Sequence, residues 1–233
     1  MLFRSRHDPL SFSGEREGTA LAVVFLLAAL MLLGGTTFVG HDWNTGSMSN
    51  QLLFESRRGR VWTAKALAVG LAALVVSTAV ISLYWLGVWA VIEHRGQEIA
   101  DHAVRDAFAS GLRGAGFATA AALGGYALTM LFRSTVATIG ILFAVVAAGG
   151  LVLATIGIGP VWEPTTNLMA IIDGEVTYYV NVPPTCGGNM LAQGGACDPE
   201  RTLSLQHGVG YYGVALALVA GASVVSFRRR DVP

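Results

Sequence analysis

Five long apolar stretches constrain this sequence more than any other feature. They cover residues 19–39, 66–92, 112–132, 134–158 and 209–227. Within them the only Asp, Glu, Lys, Arg or His residue is Arg113, at the edge of the third stretch. An α-helix needs about 20 predominantly apolar residues to cross a bilayer. The sequence therefore predicts an all-α integral membrane protein, a bundle of five transmembrane helices.

The overall composition supports a protein that resides in lipid. Hydrophobic residues make up 53% of the 233 residues and charged residues 13%, whereas soluble domains average about 25% charged residues. The mean hydropathy is +0.57. The formal net charge is zero, so the charge balance gives no indication of nucleic-acid binding.

The lysine and arginine residues predict how the chain is oriented. Segment 40–65, Arg133 and the tail 228–230 together hold eight basic residues, whereas segments 93–113 and 160–207 hold four and are richer in acids. Loops on the cytoplasmic side carry the excess of Lys and Arg. We therefore expect a multi-pass protein of the plasma (inner) membrane, with segment 40–65 and the C-terminus in the cytoplasm.

This orientation divides the chain into four regions. Residues 1–18 form a polar segment that is predicted to be external, although it contains Arg4, Arg6 and Arg16. Residues 19–158 hold four spans together with segment 40–65. Residues 159–208 form an extracytoplasmic loop, and residues 209–233 form the last span and its basic cytoplasmic tail.

The extracytoplasmic loop contains two short elements and both cysteines. Residues 167–172 predict a short apolar helix at the outer interface, and residues 176–182 have the composition of a strand. Cys186 and Cys197 flank a glycine-rich stretch beyond them. On an oxidising face we expect a disulfide, which would contribute about 3 kcal/mol by constraining the unfolded chain; two free thiols remain the alternative.

The chain lacks the residues of a self-contained transporter or enzyme. Ionisable residues inside spans usually mark proton or ion pathways, and these spans offer hydroxyls instead. The sequence contains no nucleophile-elbow, zinc-protease or phosphate-binding loop motif. We predict that the chain is not an enzyme and holds no cofactor or metal, so that any energy for transport comes from elsewhere.

Small residues recur at a spacing of four in two of the predicted spans. They are Gly116, Ala120 and Gly124 in the third span and Gly213, Ala217 and Gly221 in the last. Such faces allow close approach of helices. We expect them to pack within the bundle, with a face between two copies as the alternative.

Segment 40–65 combines a short apolar helix with the densest basic cluster of the chain. Met48, Leu52 and Leu53 recur at helical spacing. The cluster that follows consists of Arg57, Arg58, Arg60 and Lys65. A basic, partly apolar helix between two spans is typical of a segment that docks on a membrane surface or on a soluble partner.

The residues of this segment also resemble those of a known family. Gly40-His41-Asp42-Trp43 is followed by Gly46-Ser47-Met48, by the run from Leu52 to Val61, and by Ala64-Lys65. This pattern resembles the permease subunits of ABC-2 type exporters, in which an acidic-aromatic pair ends one span and a lysine opens the next. Asp42 stands where that family usually has Glu, and Ser56 where it has Pro.

The resemblance implies a function and a set of residues. The chain would be a half-transporter without the first of the family's six spans, working as a homodimer or as a heterodimer with a related permease, among membrane lipids. A coupling helix that includes Ser47, Met48, Leu52, Leu53, Phe54 and Glu55 would contact a separate ABC-type ATPase. That ATPase would bind ATP and magnesium, while Arg57, Arg58, Arg60 and Lys65 would hold the joint to it or to the inner leaflet.

Two other functions remain open from the sequence. A membrane scaffold or assembly protein would bind partners through residues 160–207 and would need no ATPase. An intramembrane enzyme would need His41, Asp42 or the pair His94 and His102. The residues do not identify a substrate, although hydroxyls and aliphatic groups would suit an amphipathic or lipid-like molecule.

Overall fold

A computed structural model describes residues 18–96, 101–156, 159–180 and 199–229. The helices are α1 (Thr19–Asn44), α2 (Ser47–Phe54), α3 (Arg58–His94), α4 (Asp101–Phe132), α5 (Thr135–Ile156), α6 (Pro164–Asp173) and α7 (Leu205–Arg229). A 3-10 turn covers Pro160–Trp162, and two strands, β1 (Glu175–Tyr179) and β2 (Glu200–Ser204), pair antiparallel.

Four of the helices are long and apolar enough to cross a membrane within the described residues: α1, α3, α4 and α7. This confirms the prediction of an all-α membrane protein. Helix α5 has 22 residues and occupies the fourth predicted stretch, but the apolar part that is described in full, Thr135–Val146, is shorter than a span. That this fourth stretch crosses the membrane, as one of five spans, stays a prediction.

Helix α4 occupies the centre of the bundle and contacts α1, α3, α5, α6 and α7. Its central side chains are small and fully buried, as at Ala115, Ala118 and Ala122. A Cβ placed on Gly125 would lie 2.2 Å from the carbonyl oxygen of Leu32. Helices α1 and α4 therefore touch backbone to backbone, an approach that only glycine permits at this position.

The glycines that make this contact are not the ones that the spacing predicted. A Cβ on Gly116, Gly213 or Gly221 would meet no atom within 4 Å, and one on Gly124 would only reach Leu216 at 4.0 Å. The expectation that these glycines bring helices together within the bundle is therefore wrong. A spacing of four identifies a helix face, but the neighbouring helices determine which face turns inward.

The bundle has two ends with different character, and the buried side chains form a cluster near each. We call the end that carries α2 and the arginines of α3 and α7 the basic end; its cluster includes Val39, Met48 and Phe227. We call the end that carries α6, β1 and β2 the loop end; its cluster includes Trp85 and Leu168.

Helix α6 includes the predicted helix 167–172 and packs between α4 and α7. Leu168 and Ile172 are 1% exposed, and Arg113 donates from Nη1 to the Ile172 carbonyl at 3.0 Å. The strands β1 and β2 extend beyond it, with Val176 opposite Leu203. The predicted disulfide between Cys186 and Cys197, and most of the predicted N-terminal segment, lie outside the described residues.

Candidate docking site at the basic end

A tight glycine turn sets the direction of the predicted coupling helix. Gly46 has φ +70°, in the left-handed region that side chains with a Cβ rarely adopt. The turn ends α1, and the carbonyl of Gly46 then accepts hydrogen bonds from the backbone N–H groups of Ser49 and Asn50 at 3.1 and 3.3 Å. Helix α2 therefore starts in a new direction within two residues of the end of α1.

One face of α2 is anchored in the protein itself. Met48 is 0% exposed and belongs to the buried cluster of the basic end, with Val39 of α1, Tyr126 of α4 and Phe227 of α7. Leu52, one turn later, packs partly against the same cluster. Of the predicted partner-binding residues, these two therefore hold α2 to the bundle.

The last turn of α2, in contrast, carries exposed apolar side chains. Leu53 is 82% exposed and Phe54 is 93% exposed. Ser47, at the other end of the helix, accepts a hydrogen bond from the Gln51 side-chain amide at 3.2 Å. The apolar surface that α2 offers outward is thus concentrated at Leu53 and Phe54.

Glu55 organises the joint between α2 and α3. Its Oε1 accepts a hydrogen bond from the Arg57 backbone N–H at 3.1 Å, and its Oε2 accepts one from Arg60 Nη1 at 2.9 Å. The Arg57 N–H, and secondly the Arg60 guanidinium, lower the pKa of the Glu55 carboxyl. Because both bonds favour the ionised form, the carboxylate holds the first turn of α3 close to the end of α2.

Lys65 takes part in an ion pair inside the protein. Its ammonium contacts the Asp42 carboxylate, and their side chains are only 13% and 16% exposed. The pair joins the last turns of α1 to the second turn of α3, so that α2 is clamped at both ends. The acidic residue and the lysine of the sequence motif, 23 positions apart, therefore meet in space.

Aromatic side chains connect this joint to the rest of the bundle. The Arg133 guanidinium lies 5.0 Å from the ring centroid of Trp43, and Trp43 meets Phe227 edge to face at 6.3 Å. The Trp62 indole N–H donates to Ser223 Oγ at 3.1 Å, and the Tyr126 hydroxyl donates to the Trp62 carbonyl at 2.7 Å. Helices α1, α3, α4 and α7 are thus linked beneath α2.

Of these aromatic residues, only Trp43 belongs to the motif of segment 40–65. Their position at the ends of spans is a weak signal, because interfacial aromatics are common in membrane proteins. Only the fold shows that Trp43, Trp62 and Tyr126 contact different helices.

The residues of the predicted basic joint lie in different surroundings. Arg60 pairs with Glu55, and Lys65 pairs with Asp42, whereas Arg57 is exposed. Arg228 and Arg229 of α7 are exposed as well. The exposed surface of the basic end therefore includes arginine side chains as well as Leu53 and Phe54, a combination suited to an acidic partner.

The described residues do not bring metal-ligating side chains together. Among them, no group of three or more His, Cys, Asp or Glu side chains could hold a metal ion. The predicted site is thus built from apolar, aromatic and paired charged groups. Groups of this kind can bind the surface of a partner protein.

Comparison of the chain with protein-family models, with curated proteins and with solved structures finds no match. The resemblance to ABC-2 type permeases therefore depends on the residues of segment 40–65, and the function that follows from it is a proposal.

Proposed function

We propose that this chain is the transmembrane permease subunit of an ATP-driven exporter of the ABC-2 type. A separate ABC-type ATPase would dock on the last turn of α2 at the cytoplasmic face of the plasma membrane. The observation that carries the proposal is the division of α2 into a buried anchor, Met48, and an exposed apolar tip, Leu53 and Phe54. Such a tip is covered either by a partner or by the membrane surface, and the resemblance to permeases favours the ATPase.

The surroundings of α2 favour its role as a lever. The Gly46 turn attaches it to α1, the Glu55 bonds attach it to α3, and Met48 inserts into the cluster shared by α1, α4 and α7. Close-packed protein interiors transmit strain instead of absorbing it. A push on Leu53 and Phe54 would therefore reach several spanning helices at once.

The other partners follow from the same proposal. ATP and magnesium would bind to the ATPase, and a second permease, identical or related, would complete the pathway, because membrane assemblies of this kind are usually symmetric. An amphipathic or lipid-like substrate would suit the aliphatic and hydroxyl groups of the spans.

The proposal is tested by co-purification. The chain is co-expressed with ABC-type ATPases from the same genome, as wild type and as Leu53→Asp and Phe54→Asp. Because both side chains are exposed, these changes leave the fold in place. We expect each variant to remain in the membrane and to co-purify at least about tenfold less ATPase than the wild type does. A tenfold loss corresponds to ~1.4 kcal/mol, the contribution of one interface anchor.

Val136→Asp provides the matched control. Val136 is 82% exposed, like Leu53, and lies in the first turn of α5 near the basic end, but it is not part of α2. We expect this variant to bind the ATPase as the wild type does. Equal recovery of the ATPase with all four proteins would show that α2 is not the docking element.

A scaffold function remains the second candidate, and one observation favours it. Trp162 and Tyr179 at the loop end are 62% and 70% exposed, as aromatic anchors of a protein interface often are. A scaffold would bind its partner at that end, and its binding would be unchanged in Leu53→Asp. The two functions therefore give opposite results in the same set of variants.

A further inference from the structure

A cavity lies at the loop end, away from the proposed docking site. It has a volume of about 740 Å³ and lies between the 3-10 turn, the start of α6 and the first half of α7. Its upper wall is formed by Trp162, His207, Tyr211 and Tyr212. Nothing in the proposed coupling mechanism uses these residues.

The tautomer of His207 follows from its contact with the buried side chain of Asn167. Asn167 is 0% exposed, and its Nδ2 donates to the carbonyls of Val161 and Glu163 at 2.8 and 2.9 Å. Since Nδ2 is thereby fixed as the donor, Oδ1 must act as the acceptor in its 3.0 Å contact with His207 Nδ1. Nδ1 therefore carries a proton, and in the neutral ring the lone pair is on Nε2.

The tyrosines add further acceptors. The Tyr211 hydroxyl donates to the Trp162 carbonyl at 3.3 Å, and the Tyr212 hydroxyl donates to the Pro164 carbonyl at 2.8 Å. Each hydroxyl has one proton and two lone pairs, so both oxygens keep acceptor capacity after these bonds are made. The face of the exposed Trp162 indole attracts cations.

The lower wall of the cavity is apolar. Val214, Ala215 and Leu218 follow along α7 towards the middle of the span, and Val214 and Leu218 are 61% and 69% exposed. The cavity thus has hydrogen-bond acceptors and an aromatic face at the level where a spanning helix leaves the bilayer. Directly below, it has an exposed apolar strip, which would contact hydrocarbon in a bilayer.

We propose that this cavity binds a lipid-like amphiphile whose head group donates hydrogen bonds, with its acyl chain along Val214 and Leu218. His207 Nε2 and the Tyr211 hydroxyl accept from the head group. A primary ammonium fits best, because Trp162 also attracts its charge. This site is independent of ATPase docking, which takes place at the other end of the bundle.

The test compares phospholipids that differ only in their head groups. Phosphatidylethanolamine and phosphatidylglycerol carry an ammonium and hydroxyls as donors, whereas phosphatidylcholine carries no donor. The full chain is placed in phosphatidylcholine nanodiscs, and each lipid is added with brominated acyl chains that quench tryptophan fluorescence. The contribution of Trp162 is the difference between the wild type and Trp162→Phe.

We expect phosphatidylethanolamine to quench Trp162 with roughly fivefold higher affinity than phosphatidylcholine, which corresponds to about 1 kcal/mol for one net hydrogen bond. His207→Phe should remove this preference, and His207→Gln, which keeps an acceptor, should retain part of it. His102→Phe is the control, because His102 is exposed near the start of α4 and does not line the cavity.

Each outcome decides the proposal. Preference for phosphatidylethanolamine alone identifies an ammonium ligand, and equal preference for phosphatidylglycerol identifies donor head groups in general. Equal affinity for all three lipids, or a preference that His207→Phe leaves intact, overturns the site. If His207→Phe does not fold, Tyr211→Phe takes its place with an expected loss of about twofold, less than one full hydrogen bond. No ATPase is present, so failure here does not bear on the coupling proposal.

Discussion

At the scale of single residues, the joint after α2 depends on where individual charges are placed. Glu55 accepts one bond from a backbone N–H and one from a guanidinium, and Asp42 is paired with Lys65 in a mostly buried position. Removing one partner of a buried pair leaves an uncompensated charge, whereas an exposed pair contributes little. Asp42 and Lys65 therefore matter more for the stability of the joint than Glu55 and Arg60.

The Glu55 carboxyl gives a prediction about pH. Its pKa is lowered from 4.5, so its contribution to the stability of the joint is fully present above the unfolded pKa and is lost as the pH falls through the folded pKa. We expect Arg60→Ala to raise the Glu55 pKa only part of the way to its ordinary value, because the Arg57 N–H is the larger cause. Titration of ¹³C-labelled Glu side chains by NMR measures both values.

The control for this titration is Arg58→Ala, a neighbouring change that leaves the bonds of Glu55 to the Arg57 N–H and to Arg60 in place. A full return of the Glu55 pKa to 4.5 in Arg60→Ala would contradict the assigned order of causes.

At the scale of elements, the contact between α1 and α4 sets the geometry of the bundle. Two glycines, one on each helix, allow the backbones to meet: Gly35 faces the Ala122 carbonyl and Gly125 faces the Leu32 carbonyl. The Met48 anchor of α2 enters the cluster that lies beside this contact. The position of α2 therefore depends on how closely α1 and α4 approach.

Gly35 and its neighbour provide a matched pair of substitutions. A Cβ at Gly35 would lie 2.1 Å from the Ala122 carbonyl oxygen, whereas one at Gly34 would meet nothing within 4 Å. We expect Gly35→Ala to destabilise the protein by about 1–3 kcal/mol, the usual cost of overpacking. Gly34→Ala should be neutral or stabilising by up to about 1 kcal/mol, since alanine favours the helix.

Unfolding midpoints of the two variants in detergent measure this difference. Equal midpoints would show that α1 and α4 do not touch at Gly35, and the close packing derived for the centre of the bundle would then be wrong.

At the scale of the whole molecule, the two proposed sites lie at opposite ends of one bundle. Helix α2 and the exposed arginines lie at the basic end, and α6 with the two strands lies at the loop end. The distribution of Lys and Arg predicts that the basic end faces the cytoplasm. Coupling to an ATPase and binding of a lipid head group would then take place on opposite sides of the membrane.

The orientation is tested with single cysteines in a chain that carries Cys186→Ser and Cys197→Ser. Ser56 is exposed at the basic end and Thr177 is exposed on β1. We expect a membrane-impermeant maleimide to label Thr177→Cys in intact cells, and to label Ser56→Cys only after permeabilisation. The parent chain without cysteines is the control, and labelling of Ser56→Cys in intact cells would reverse the orientation and exclude coupling through α2.

The amino-acid sequence by itself determined that the chain belongs in a membrane as a set of helices. A run of about 20 apolar residues is long enough to cross a bilayer, and in the absence of water a helix satisfies the backbone hydrogen bonds of that run. It also located the short helix before Glu55, since the glycine turn and the apolar spacing are local features. Only the tertiary structure decided that Met48 points inward and Phe54 outward, and that Gly35 packs while Gly116 does not. These outcomes depend on which neighbours a helix face meets, and that information is distributed over residues far apart in the chain.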